Sequence, residues 1–310
     1  MSFSVPVLLI GFNRPLFTQR VLSILRQVKP SRLYVACDGP RPDHAADAER
    51  CVQVRRACRQ QPEGLIDWNC EIAYRLNDTN QGCRATVVGA LDWLFAHEHE
   101  AIILEDDILP DLSFFPYCKI LLAHYRDDTR IGCISANNHQ RIPPLDGSSY
   151  RFSIYSHGWG WATWRRAWSC YDRDLSGWPE FRDAGWLKQL GHAQFVQTWS
   201  RWLDALATGP NDSVWDMIWQ FSCWQQGFLT ILPAVELIEN IGFGIDATHT
   251  LDQQSPLGAR GSLTLPLIHP RIVLPDRMRD ADTFDRLYRK TLISEAQRKV
   301  RKALRLMGWQ

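Results

Sequence analysis

The strongest constraint on the fold lies at the start of the chain. Val5 to Phe12 is an apolar run of strand length, and Arg32 to Cys37 is a second. Between them Leu16 to Val28 places Val21, Leu22, Leu25 and Val28 at helical spacing, with Pro15 suited to the first helical turn and Lys29-Pro30 ending it. A strand, a helix and a strand joined by links this short form a βαβ unit, so the two strands run parallel. The alternation continues. His44 to Gln61 reads as a polar surface helix, Trp68 to Tyr74 as a strand, Ala85 to Phe95 as a helix, and Ala101 to Leu104 as a fourth strand. The order through residue 107 is that of a nucleotide-binding half-domain. At 310 residues the chain is long enough to bury a full core around such a sheet.

The fourth strand carries the chemistry. Its apolar run is followed at once by Glu105, Asp106 and Asp107, before Pro110 and Asp111 force a turn. Carboxylates are seldom buried without partners, and three in a row also repel one another. A hard divalent cation, Mg²⁺ or Mn²⁺, resolves both problems. In open α/β sheets the crevice beyond the carboxyl ends of the strands is where ligands bind. The plainer alternative is that these acids cap the following helix or make ordinary ion pairs. Asp38-Gly39-Pro40 closes the second strand beside the end of the first, an ordinary turn made notable by its position.

Further along, Ser113 to Tyr125 reads as an amphipathic helix and Arg130 to Ala136 as a strand. The stretch GWGWATW, beginning at Gly158, interleaves glycine with indole, which predicts a ligand-lining turn leading into a helix. Most of the fourteen tryptophans fall between Trp159 and Trp224, and indole faces stack well on sugars; the alternative is that they staple loops to the core. Trp178 to Thr208 is helical in period. Asp212 or Ser213 would cap a helix running to Gln226, with Asp216 in its first turn, where the helix dipole keeps a carboxylate ionised and suited to act as a base. On composition alone, Asp216 merely satisfies that dipole. Leu229 to Pro233 is a short strand. Leu251 to His269 reads as flexible. Arg286 to Met307 is a basic amphipathic helix, the pattern of a membrane-surface anchor or of a helix docked on the core. A net charge of +1 offers nothing to nucleic acid, and nine cysteines without a CxxC pair suit reduced thiols in the cytoplasm. Neither a signal peptide nor a membrane span is visible.

Five motifs, FNRP, CDGP, NQG, EDD and NIGFG followed by DATHT, occur in an order that resembles the GT-A glycosyltransferases, a nucleotide-diphospho-sugar transferase family, from about Val5 to Thr250. The EDD form is similar to that of the N-acetylglucosaminyltransferase that initiates complex N-glycans. The resemblance implies a Rossmann-like α/β fold: a mixed, mainly parallel sheet flanked by helices, with a C-terminal helical extension. It implies a catalytic domain over residues 1–250 (nucleotide-sugar half 1–136, acceptor half 137–250), a flexible segment over 251–284 and a helix over 285–310. By the same resemblance Asp107 holds the metal with His249, whose imidazole favours Mn²⁺ over Mg²⁺. Glu105 and Asp106 face the nucleotide sugar, Asn13, Arg14 and Asp38 bind the nucleotide, and Arg84 meets the diphosphate. Asp216, with Asp212 in reserve, deprotonates the acceptor hydroxyl, while Trp159, Trp161 and Trp215 stack on sugar or acceptor. The implied reaction is direct, inverting transfer from a nucleotide-diphospho-sugar, a UDP-sugar, to a glycan or lipid-linked acceptor, in the cytoplasm or at the inner face of the membrane. Two rivals stand. A sugar-nucleotide nucleotidyltransferase would show a glycine-rich phosphate loop where GFNRP has one glycine, and a non-catalytic carbohydrate-binding protein would not need the βαβ half.

Overall fold

A computed structural model describes residues 2–139, 144, 146–209, 213–242 and 260–289. Its strands are β1 Val7–Gly11, β2 Arg32–Cys37, β3 Glu71–Leu76, β4 Glu100–Glu105, β5 Ile108–Pro110, β6 Ile131–Ser135, β7 Tyr150–Ser153, β8 Trp161–Trp164, β9 Leu229–Pro233 and β10 Ile238–Asn240. Eight of them form one sheet in the order β3-β2-β1-β4-β8-β6-β9-β7, and β5 pairs with β10 in a small antiparallel ribbon. β3, β2, β1 and β4 are parallel neighbours, as are β6 and β9, whereas β8 runs against both β4 and β6, and β7 runs against β9. The fold is α/β, with a mixed, mainly parallel sheet flanked by helices.

The central strands are apolar throughout because both faces of the sheet are covered. Val7, Leu9, Val35, Ile102 and Leu104 point to one face, where Val21, Leu22 and Leu25 of helix Pro15–Val28 and Leu121 and Leu122 of helix Phe114–His124 pack on them. Leu8, Ile10, Ala101 and Ile103 point to the other, against Val87, Leu91 and Leu94 of helix Cys83–His97. A third apolar cluster is helical, built from Leu187, Phe195, Trp199, Phe221 and Trp224.

The structure departs from the sequence expectations in four places. Trp178 to Thr208 is three helices, Trp178–Asp183, Leu187–Leu190 and Ala193–Thr208, because Gly185 takes a left-handed φ of 75° and Gly191 ends the second piece. The GWGW turn leads into β8, and only then into the single helical turn Arg165–Trp168. The helix expected to be capped by Asp212 or Ser213 begins at Asp216, directly after Trp215, and ends at Gln225; Asp212 lies outside the described residues. Finally, the described part of the 251–284 segment is pinned down. Ser149 N–H donates to the Ile268 carbonyl and Asp276 N–H to the Phe152 carbonyl, so Ile268 and Asp276 are both tied to the β7 edge. A short helix follows over Arg277–Thr283 and widens into a π-turn over Phe284–Tyr288. Residues 251–259 and 290–310, and with them most of the expected Arg286–Met307 helix, lie outside the described residues.

The Arg277–Thr283 helix is locked by one buried acid. Asp280 accepts from Arg151 Nη1 at 3.1 Å, Ser153 Oγ at 2.6 Å and Ile154 N–H at 3.1 Å, with Asp280 and Arg151 both buried. Removing it would strand the Arg151 charge in the interior, so Asp280→Ala should cost about 3–5 kcal/mol in urea unfolding. Asp282→Ala, at an exposed pair with Arg286, should stay within about 0.5 kcal/mol.

Candidate functional site

The carboxyl ends of the parallel strands define the site. Glu105 ends β4, and Asp106 and Asp107 make the turn into β5. Register places Ile10 of β1 beside Glu105, which brings the loop after β1 over the acids. From that loop the Arg14 guanidinium forks across two carboxylates, donating from Nη2 to Asp106 and from Nη1 to Asp107 Oδ2 at 2.8 Å. Asp106 is buried, and its second oxygen accepts the Phe12 N–H at 3.2 Å. It therefore anchors the loop, and the expectation that it faces a nucleotide sugar does not fit an acid with both oxygens engaged. Asp107 Oδ1 and the half-buried Glu105 carboxylate find no hydrogen-bond partner among the described residues.

One guanidinium does not balance three acids. Burial, and after it the charge of Asp107, pushes Glu105 up to about 8. Burial pushes Asp106 up to about 6 even with Arg14 opposing it. Arg14 is itself held above its usual value, since Asp106 and Asp107 outweigh the cost of burying it. Surplus negative charge and unpartnered carboxylate oxygens are the chemistry that a hard divalent cation takes up, by one or two carboxylates with phosphate and water completing the shell. Among the described residues no three His, Cys, Asp or Glu side chains are grouped to hold an ion by themselves. His249 lies outside the described residues. The strand before it does reach the site: Ile241 N–H donates to the Asp107 carbonyl, and a Cβ at Gly242 would stand 2.1 Å from Asp107 Oδ2. A side chain there would push the Asp107 carboxylate off its present place on Arg14.

Across the crevice stands Asp216, an exposed residue that opens its helix and accepts the Met217 N–H at 2.9 Å. Its charge is felt at Glu105, at the Cys83 thiol and at the Tyr171 hydroxyl, which places it on the same crevice as the acids. The GWGW turn lies against it, because a Cβ at Gly158 would come within 3.0 Å of Trp215 and 3.9 Å of the Asp216 Cβ. Trp161 does not line this crevice. It is buried in β8, stacked on Trp215 at 5.7 Å and flanked by Trp219 at 5.8 Å, so its faces are taken by other indoles. Trp215 is buried as well, at 6 % exposure. Trp159 is half-buried, packs against the core and meets His139 edge-on at 6.4 Å, the least buried of the three.

The other nucleotide-binding candidates are engaged elsewhere. Asp38 is buried, and its two oxygens accept from the side chains of Asn77 and Asn80 and from the backbone N–H groups of Gly39, Gln81 and Gly82. It shapes the NQG loop from within. Asn13 donates to Asp47 at 2.7 Å, an acid that a hydrogen bond from Arg41 holds down at about 2. Arg84 donates to the Arg173 carbonyl. Sequence reasoning missed Glu236, which is buried, is pushed up to about 7 by burial, and accepts from Asn137 Nδ2, Asn138 N–H and His139 N–H to hold the end of β6. Its signal was there: a lone acid between Val235 and Leu237-Ile238, inside an apolar run.

No protein-family model matches the chain, and no curated protein matches it in sequence. Among solved structures it is similar to the inositol-1-phosphate CTP transferase from T. maritima, with 7 % identity over 81 % of this chain and 93 % of that one and a TM-score of 0.38. It is also similar to mouse xyloside xylosyltransferase 1 in its apo form (10 % identity, 71 % and 80 % covered, TM-score 0.33). A third is HddC from Yersinia pseudotuberculosis (10 % identity, 52 % and 77 % covered, TM-score 0.31). Similarity this slight decides nothing about activity.

Beside Trp159 sit two histidines whose ring centroids are 4.2 Å apart, His139 and His157. Burial holds both below the ordinary range, His139 at about 3, with nearby Arg151 adding to the effect. The unfolded chain takes up those protons near pH 6.5 and the folded chain does not. Stability from the neutral pair is therefore complete above about pH 6.5 and is lost as pH falls. The raised acids Glu105, Asp106 and Glu236 act in the opposite sense, since the folded state protonates first. Comparing urea midpoints at pH 7 and pH 5 isolates the histidine: wild type should lose about 2 kcal/mol relative to His157→Asn over that interval. Equal slopes would mean that His157 is not held neutral.

Proposed function

We propose that this chain is a metal-dependent glycosyltransferase of the GT-A type. It would move a sugar from a nucleotide-diphospho-sugar, a UDP-sugar, to a hydroxyl of a glycan or lipid-linked acceptor, with inversion. The observation that carries the reading is the uncompensated acid cluster at the end of β4, with Arg14 on one side and the exposed Asp216 on the other. A binding module with a structural cation would not need an exposed acid standing across the crevice.

Asp107 and Glu105 would hold Mn²⁺ or Mg²⁺, and His249 follows the segment that touches Asp107. Such an ion, when bound, neutralises the departing diphosphate. Arg14 is anchored through Asp106, so the Nη1 group now on Asp107 can turn to a diphosphate oxygen without the side chain losing its place. Trp159, the least buried of the three tryptophans, would be the one to meet a sugar ring. Asp216 accepts the proton of the acceptor hydroxyl at its carboxylate as the new glycosidic bond forms, and a base on the side opposite the leaving group gives inversion. Nine free thiols, seven of them buried, are in keeping with a cytoplasmic enzyme.

The test is thermal melting against a panel of nucleotides with and without Mn²⁺. UDP at about 100 times its dissociation constant should add roughly 2.7 kcal/mol, only with the metal, and not in Asp107→Ala. Asp216→Asn should keep that shift and lose about 100-fold or more in transfer rate. Most of the rate surviving in Asp216→Asn would remove Asp216 as the base. Release of nucleoside diphosphate from the donor marks a transferase, whereas nucleoside triphosphate formed from added pyrophosphate would mark a nucleotidyltransferase.

A further inference from the structure

Charge is not spread evenly along this chain. Residues 260–310 carry twelve Lys or Arg against five Asp or Glu, a net of +7, so that residues 1–259 carry a net of −6 for the total of +1. The described start of that basic part is also where apolar side chains stand in solvent. Leu265, Ile268, Ile272, Leu274 and Met278 are 44, 60, 67, 66 and 80 % exposed. Single exposed apolar residues are ordinary, but five within fourteen residues make this the part of the described chain richest in them.

The segment is tied down at both ends. Ile268 is tied to Ser149, just before β7, and Pro275-Asp276 to Phe152 within it, points about 10 Å apart. Arg277 donates to the carbonyls of Gln189 and Leu190, which draws the turn bearing Trp186, 56 % exposed, towards the same face. A shallow groove of about 450 Å³ opens beside Ile268, lined by Val235, Leu263, Leu265 and Pro266. Arg271, Arg277 and Lys188 are exposed around these apolar side chains. Asp276 is occupied in capping the Arg277–Thr283 helix and pairing with Arg279, and the exposed acids that follow, Asp282 and Asp285, pair with Arg286 and Arg289. The sequence beyond Arg289 keeps the sign, with Lys290, Arg298, Lys299, Arg301, Lys302 and Arg305 against Glu295 alone.

We propose that the Leu265–Met278 face docks on an anionic lipid bilayer. Exposed aliphatic side chains enter the acyl boundary, Trp186 sits at headgroup depth, and the surrounding cations meet lipid phosphates. The charge selects this occupant. A second copy packed face to face would gather the Arg271 and Arg277 charges of both copies into one interface, and the chain's own basic tail would bring like charge to like. A bilayer with acidic headgroups supplies both the apolar interior and the opposite sign. The inference is independent of which reaction the crevice performs.

Flotation of the full chain with extruded vesicles tests it. The protein should float with vesicles of phosphatidylcholine containing about one-third phosphatidylglycerol, not with phosphatidylcholine alone, and should be released by salt. The exposed-site variant Ile272→Ser/Leu274→Ser/Met278→Ser should melt as wild type does yet partition about tenfold less or lower, and Arg271→Glu should weaken binding as well. Wild type that stays out of anionic vesicles overturns the proposal. So does a triple-serine variant that floats undiminished, since binding would then belong to the tail. A vesicle-free dimer that the triple variant converts to monomer would assign the face to a second copy.

Discussion

Everything at the carboxyl edge of the sheet depends on the fork by which Arg14 grips Asp106 and Asp107. It joins the loop after β1 to the turn after β4, the two central parallel strands, and so closes the floor of the crevice. Three adjacent acids at the end of a buried strand could not stay folded together without a positive group. A single guanidinium lets them persist but does not satisfy them, because Glu105 is still pushed up to about 8. The cluster is thus stable enough to be built and unbalanced enough to want a further cation. Lysine would not serve in the same way, since one ammonium cannot present two parallel donors to two carboxylates in fixed geometry.

The remainder of the crevice follows from constraints that act on that edge. Gly242 lies directly against the Asp107 carboxylate, and the segment it belongs to is held in place by β10 pairing with β5. Asp38 performs the corresponding task one strand over, gathering the NQG loop around its buried carboxylate. Acids in this protein therefore do two distinct jobs. Asp38, Asp47, Asp106 and Asp280 are buried and organise backbone, while Asp107, Glu105 and Asp216 keep oxygen atoms turned towards the crevice or solvent.

That division explains what was legible in the sequence. The first four strands, and the parallel run of the first two, could be read from apolar runs and short links, because a strand covered on both faces carries such a run. β2 and β9 fall on the residues expected for them. The acid triplet was also legible, since burial makes such a run costly wherever it occurs. What could not be read was which acid or indole faces inward. Trp159 and Trp161 are two residues apart, and only the pairing of β8 with β4 buries the second of them. Asp38 and Asp107 likewise both end parallel strands, and the partners that saturate Asp38 come from a loop about forty residues away. The fragmentation of Trp178 to Thr208 hinged on Gly185 and Gly191, and helical periodicity does not register such breaks.

The reversed strand β8 has a consequence for how the crevice can change. In a parallel sheet each strand delivers its following loop to the carboxyl edge, and the next neighbour is reached only by a crossover helix. β8 runs the other way between β4 and β6, so it delivers the loop that precedes it, and Trp161 pairs with Ile103 close to the acids. The two walls of the crevice therefore hang on opposite ends of their strands. Residues inserted between Ser153 and Trp161 would reshape the wall that faces Asp216 while leaving every crossover of the Arg14 side intact. A fold arranged in this manner can exchange what it receives on one side and hold constant what it grips on the other.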